Sequence, residues 1–338
     1  MGDMGVPRVP RPRSGRHAER RWFLDLALTS LALLALAALG SCGGSGGHGV
    51  GGSAGTVTGP QPPSPPPPVP PIAPPPPGGS VILVGAGDIA RDGGGSEATA
   101  ALLDAIPGTV FTAGDNAYPD GSASDYARLY APTWGRHRAR TRPAPGNHEY
   151  NTSGATAYYQ YFGDNAGPSG RGYYSYDLGD WHIVSLNSNI DMSAGSAQEQ
   201  WLRADLAATT QDCTLAYWHH PRFSSGSHGS STKSQAIWQA LYDAGAEIVI
   251  VGHDHNYQRF APQTPDGRED LQRGIREFVV GTGGSGHYSF GSPIANTEAY
   301  NIDTYGVLKL TLSPGAYSWE FIPVAGQSYR DAGSGTCH

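Results

Sequence analysis

Eight short apolar runs recur from residue 81 onward: Val81–Val84, Thr109–Phe111, Trp181–Leu186, Thr214–Tyr217, Glu247–Val251, Phe278–Val280, Val307–Leu312 and Tyr317–Ile322. They are rich in β-branched and aromatic residues, and several are apolar throughout, as strands buried on both faces are. Helix-period stretches separate some of them: Glu97–Ala105 after Ser96, Ala197–Ala207 with Trp201, Leu202 and Leu206 on one face, and Lys233–Ala244 with Ile237, Trp238 and Leu241. Strand and helix alternate early and consecutive strands dominate the end, which predicts an α/β, sheet-rich sandwich with helices outside. No internal repeat of fixed period is present.

The region before these runs reads differently. Residues 1–41 combine an Arg-rich beginning with the apolar run Leu26 to Leu39, the two regions of an export signal. The run is too short for a convincing permanent span. Arg20-Arg21-Trp22-Phe23-Leu24 resembles a twin-arginine pattern, although Asp25 stands where a basic residue is usual. Leu39-Gly40-Ser41-Cys42 resembles a bacterial lipoprotein signal, with Cys42 as lipid acceptor; the alternative is ordinary cleavage near Ser41. The expected location is therefore outside the cytoplasm, secreted or lipid-anchored to the outer face of a bacterial membrane, with membrane contact only through such an anchor. Residues 42–79 are Gly/Ser-rich and then Pro-rich, a composition that buries no core and makes a tether.

Residues 80–338 are the expected folded body. The first 79 residues hold six of the 22 basic and three of the 29 acidic residues, leaving 16 against 26 and a formal charge of −10. That balance repels a nucleic-acid backbone, so no nucleic-acid partner is expected. Beyond Cys42, only Cys213 and Cys337 remain. An oxidising compartment favours a bridge between them; otherwise both are free thiols.

Four polar clusters carry the chemistry: Gly114-Asp115-Asn116-Ala117-Tyr118, Gly146-Asn147-His148-Glu149, Trp218-His219-His220-Pro221 and Gly252-His253-Asp254-His255. With Asp88, most of them follow a predicted strand, where ligand sites of open α/β sheets gather. Carboxylate, amide oxygen, imidazole and phenolate are all metal donors. Glycine-rich Gly281 to Gly286 lacks the lysine of a nucleotide-binding loop and reads as a loop at the site's mouth.

In these clusters the sequence resembles the calcineurin-like metallophosphoesterases, and within them the purple acid phosphatases. The resemblance spans most of residues 80–338 and implies a four-layer α-β-β-α sandwich, mixed sheets flanked by helices. It implies one metal among Asp88, Asp115, Tyr118 and His255, and a second among Asp115, Asn147, His219 and His253, with Asp115 shared. Ala90 stands where the wider superfamily has a ligating histidine, and Tyr118 supplies the missing donor. A phenolate favours a hard trivalent ion, so Fe(III) is expected there, with Zn, Mn or Fe(II) at the second site.

The expected reaction is hydrolysis of a small-molecule phosphate monoester by a metal-activated hydroxide. The ligands leave open a phosphodiesterase or nucleotidase, and more remotely a non-catalytic surface module. His148, beside Asn147, is the candidate to protonate the leaving oxygen or hold the phosphate. His228 resembles the family's substrate-side histidine. His220 is expected to be structural or to support the ligands from behind, Tyr257 and Arg259 to pack, and Asp254 to face away from the metals, because alternate residues of an extended segment point oppositely.

Overall fold

Alternate residues of a strand look in opposite directions, and in the central strands of this chain both directions are apolar. From Cys213–Tyr217, Cys213, Leu215 and Tyr217 join one core cluster while Ala216 joins another; Ile248 and Ile250 are likewise separated from Val249 and Val251. Such strands need a layer on each side, and the computed structural model, which describes residues 79–338, has them. The expected signal at 1–41 and nearly all of the tether at 42–79 lie outside the described residues.

The strands are β1 (Val81–Ala86), β2 (Thr109–Ala113), β3 (Thr141–Ala144), β4 (Tyr174–Leu178), β5 (Trp181–Ser185), β6 (Cys213–Tyr217), β7 (Ile248–Val251), β8 (Tyr257–Phe260), β9 (Arg276–Val280), β10 (Thr297–Asn301), β11 (Gly306–Ser313), β12 (Ala316–Pro323) and β13 (Asp331–Thr336). The longer helices are α1 (Ser96–Ala105), α2 (Thr156–Phe162), α3 (Ala197–Ala208) and α4 (Gln235–Asp243). One sheet runs β13-β12-β11-β1-β2-β3, the other β10-β8-β9-β7-β6-β5-β4. Both are mixed: β1, β2 and β3 are parallel, as are β5, β6, β7 and β9, with antiparallel strands outside them.

Between the sheets lies a core that includes Leu83, Phe111, Ile183, Leu215, Ile250, Phe278 and Leu310. Beyond the second sheet, Leu202 of α3 and Ile237, Trp238 and Leu241 of α4 pack on Val184, Ala216 and Val249. Each large side chain buried this way contributes roughly 1.5–3 kcal/mol. α1 covers the first sheet with Ala100 and Leu103. The four-layer architecture expected from the resemblance is the one observed. Among the described residues, no helix is long and apolar enough to cross a membrane.

All eight expected strands form, but five others carry no apolar run to announce them. β3 contains Arg142 and Pro143, which an edge strand tolerates. β13 reads Asp-Ala-Gly-Ser-Gly-Thr and is held by pairing to β12, with its glycines under the rings of Trp319 and Tyr317. Ser96, expected before α1, is its first residue and Gly95 takes the cap position. Cys213 and Cys337 are joined, with Cα atoms 5.6 Å apart, tying the first residue of β6 to the chain just beyond β13.

Candidate metal centre

The carboxyl ends of the two parallel strand groups meet at one end of the sandwich, and the polar clusters leave from there. Asp88 follows β1, Asp115 follows β2, a single helical turn Asn147–Tyr150 follows β3, His219 follows β6, and His253 and His255 follow β7. Asp88, Asp115 and His253 take left-handed backbone conformations, with φ of 60°, 50° and 70°. Asp and His are among the residues that tolerate this region, and three non-glycine examples in one place mark a constrained site.

The seven expected donors converge as two overlapping sets. Tyr118 Oη lies 3.0 Å from Asp88 Oδ1, 3.1 Å from Asp115 Oδ2 and 3.1 Å from His255 Nε2. His219 Nε2 lies 3.3 Å from Asp115 Oδ2, 3.0 Å from Asn147 Oδ1 and 3.1 Å from His253 Nδ1. A single atom, Asp115 Oδ2, belongs to both sets. His219 Nδ1 donates to Ala113 O at 2.8 Å, which turns its other nitrogen inward. His255 is fixed in the same way by a bond from Nδ1 to Gly286 O.

Backbone amides hold the carboxylates from behind. His253 N donates to Asp88 Oδ2 at 2.8 Å and His148 N to Asp115 Oδ1 at 2.9 Å. Gly146 passes so close that a Cβ there would come within 2.1 Å of Asp115 Oδ1. Glu149, buried behind the centre, accepts from the amides of Gly146, Asn116 and Ala117 and from the Tyr126 hydroxyl. Its position inside Gly-Asn-His-Glu was visible in the sequence; its task of binding two loops together was not.

The electrostatics follow from burial and close charges. Burial raises the Asp115 carboxyl, but His219 and His148 outweigh it and hold it below the usual carboxylate range. Burial lowers His219, yet Asp115 prevails and lifts it to about 9. His255 is raised too: burial opposes, Asp88 dominates. His253 is pushed down by burial and by His219 and His220. Burial, then Asp115 and Asp88, hold the Tyr118 phenol well above its ordinary value.

His148 and His228 flank the centre. The His148 ring lies 4.3 Å from the Tyr118 ring, with Nδ1 bonded to Pro119 O and Nε2 3.8 Å from Asp115 Oδ2. The His228 ring lies 4.1 Å from that of His253. His220 lies beside the ligands: ring nitrogens of His219, His220 and His253 lie within 4.8 Å of one another. Ser188 Oγ accepts from His220 N at 3.0 Å and bonds Nδ1 at 2.7 Å. Tyr257 and Arg259 turn away to Asp331. Residues 281–285 are buried rather than at the mouth, with Ser285 N donating to Asp88 O. Tyr288, which no sequence signal singled out, stacks on His255 at 3.8 Å.

Known proteins share parts of this sequence and its fold. Purple acid phosphatase 23 of Arabidopsis thaliana is 30% identical over 161 residues, covering 42% of this chain and 35% of the relative. The chain spans only 24–38% of the length of purple acid phosphatases 20 and 15 of the same plant, which it also matches. A purple acid phosphatase from yellow lupin (Lupinus luteus) seeds shares the fold with a TM-score of 0.69 at 20% identity, covering 78% of this chain and 55% of that one. GAP50, described as the anchor in the inner membrane complex of Plasmodium, does so with a TM-score of 0.61 at 14% identity, covering 77% of this chain and 89% of that one. The calcineurin-like phosphoesterase family model matches residues 82–257, from β1 through the last of the converging donors, and the chain belongs to that family.

Proposed function

We propose that this chain is an exported phosphatase that cleaves phosphate monoesters at a centre of two metal ions. One observation carries the reading: Asp115 Oδ2 is shared by two sets of electron-pair donors whose atoms face one another at 3.0–3.3 Å. Carboxylates, an amide oxygen and inward-turned imidazole nitrogens have too few protons to satisfy one another at such distances, so the donor chemistry fits cations. A Tyr118 phenol held high by burial and by Asp115 and Asp88 releases its proton readily only beside added positive charge.

Asp88, Asp115, Tyr118 and His255 would hold one ion, and Asp115, Asn147, His219 and His253 the other. The phenolate among hard oxygen donors favours Fe(III) in the first set, with Zn, Mn or Fe(II) in the second. When bound, such a pair neutralises phosphate charge and lowers the pKa of water towards neutrality. The chain's own contributions are orientation and protons. His148 is anchored through Nδ1 to Pro119 O, leaving Nε2 on the Asp115 side to protonate the leaving oxygen or hold the phosphate. His228 faces it from the His253 side. The leader and tether features of residues 1–79 support export, and the Cys213–Cys337 bridge fits an oxidising compartment.

A second reading, a non-catalytic surface module, draws on the likeness to GAP50. Seven convergent donors weigh against it, since a purely structural role does not require flanking histidines. Metal analysis of the exported protein should return two ions per chain, with faster hydrolysis of 4-nitrophenyl phosphate than of its bis-ester. Asp115→Ala should hold less than one ion and lose nearly all turnover. Full turnover in that variant would refute the shared-carboxylate centre.

A further inference from the structure

Asp254 stands between His253 and His255, yet its carboxylate joins neither donor set. It is fully buried, and its partners come from the segment Ser224 to His228. Oδ1 accepts from both the backbone N and the ring Nδ1 of His228, each at 3.0 Å, and Oδ2 accepts from Ser224 Oγ at 2.5 Å. The segment Ser224 to His228 is wrapped around this one carboxylate. Gly226 N donates to Ser224 Oγ at 2.9 Å, and a Cβ on Gly226 would come within 2.3 Å of the Asp254 carboxyl carbon. Only glycine permits so close a passage. A buried carboxylate is costly unless its oxygens are satisfied, and two of the three donors that satisfy this one come from His228.

A histidine whose Nδ1–H is committed presents Nε2 to whatever lies on its other side. The His228 ring packs on that of His253 and sits 5.2 Å from Tyr288, which stacks on His255. The uncommitted nitrogen therefore belongs to the mouth of the donor cluster. We propose that Asp254 is a positioning residue that holds His228 as the Nδ1–H tautomer, with Nε2 presented to the phosphate ester. The role of that nitrogen toward substrate rests on the phosphoesterase reading; the carboxylate–imidazole pair itself does not.

Asp254→Asn keeps an oxygen acceptor at nearly the same volume, so it removes the charge with little disturbance of the loop. Long-range 15N–1H correlation spectra of the full chain, with and without zinc, should show His228 protonated at Nδ1 in the wild type and shifted toward Nε2–H in Asp254→Asn. With both ions retained, kcat for 4-nitrophenyl phosphate should fall about 10–100-fold in Asp254→Asn, with a smaller change in KM. The double variant Asp254→Asn/His228→Ala should be no slower than His228→Ala alone. Losses that multiply in the double variant, or a wild-type His228 protonated at Nε2, would overturn the proposal. If Asp254→Asn loses metal, the zinc-free spectra decide. If the wild type hydrolyses no phosphate ester, the phosphoesterase reading falls and the tautomer still judges Asp254.

Discussion

Glu277 on β9 should be among the most damaging residues to truncate, although it touches none of the converging donors. It is fully buried, and its two oxygens accept the amides of Arg222 and Phe223, each at 3.0 Å. These amides start the segment that leads from His219 and His220 to His228. Glu277→Ala leaves two buried N–H groups unpaired, at roughly 1–3 kcal/mol each, or about 2–6 kcal/mol together. It also removes the carboxyl beside Arg222, itself 7% exposed and bonded to Pro265 O. Urea unfolding should show the loss as a lower midpoint at unchanged slope, and hydrogen exchange at Arg222 and Phe223 should accelerate. Burial lifts the Glu277 carboxyl to about 8, against the opposing pull of the two amides and Arg222. The folded value lies above the ordinary 4.5, so the folded state binds the extra proton. The stability owed to Glu277 should then decline as pH rises from 4.5 through 8, a slope that Glu277→Gln should lack. A loss below about 1 kcal/mol in Glu277→Ala would mean that water reaches the freed amides, refuting the reasoning.

The bridge between Cys213 and Cys337 spans 124 residues, which chain-entropy reasoning values at about 5 kcal/mol. A Cys213→Ser/Cys337→Ser variant should lose up to that amount in urea, and reductant should bring the wild type down to it. His182 bonds Asp177 Oδ1 at 3.0 Å and Asp205 Oδ2 at 2.9 Å; burial lowers its pKa, but these carboxylates raise it overall. Its stabilisation should be complete below pH 6.5 and fade as pH climbs through the raised value, a dependence that thermal melts of His182→Gln should not show. Gly146→Ala would drive a methyl group into the Asp115 carboxylate. It should reduce bound metal and turnover together, and unchanged metal content would contradict the packing described.

The centre was legible because its donors sit beside strand ends, and strand ends are where apolar runs stop. Asp88, Asp115, His219, His253 and His255 each come within a few residues of such a boundary. Less could be read where a role depends on which loops meet. Nothing near Glu149 foretells that it accepts amides from the β2 loop, or near Tyr288 that it stacks on His255. The role of His220 was only half legible because its partner, Ser188, comes from the distant β5 loop. The polar strands were hidden for a related reason. β8 carries only Tyr257 and Phe260 as buried apolar residues and β13 carries no large one, so both are defined chiefly by pairing with β9 and β12.

Strand β6 is fastened at both of its ends. Its first residue, Cys213, is bolted to Cys337 behind the edge strand of the opposite sheet, and two residues past its last, His219 reaches Asp115 from that same sheet. Cations at the donor cluster would act as a second rivet, with the sulfur link at the far end of the seam. Chelation should then loosen one end of the sandwich and reduction the other, while the apolar core between the sheets keeps the halves together.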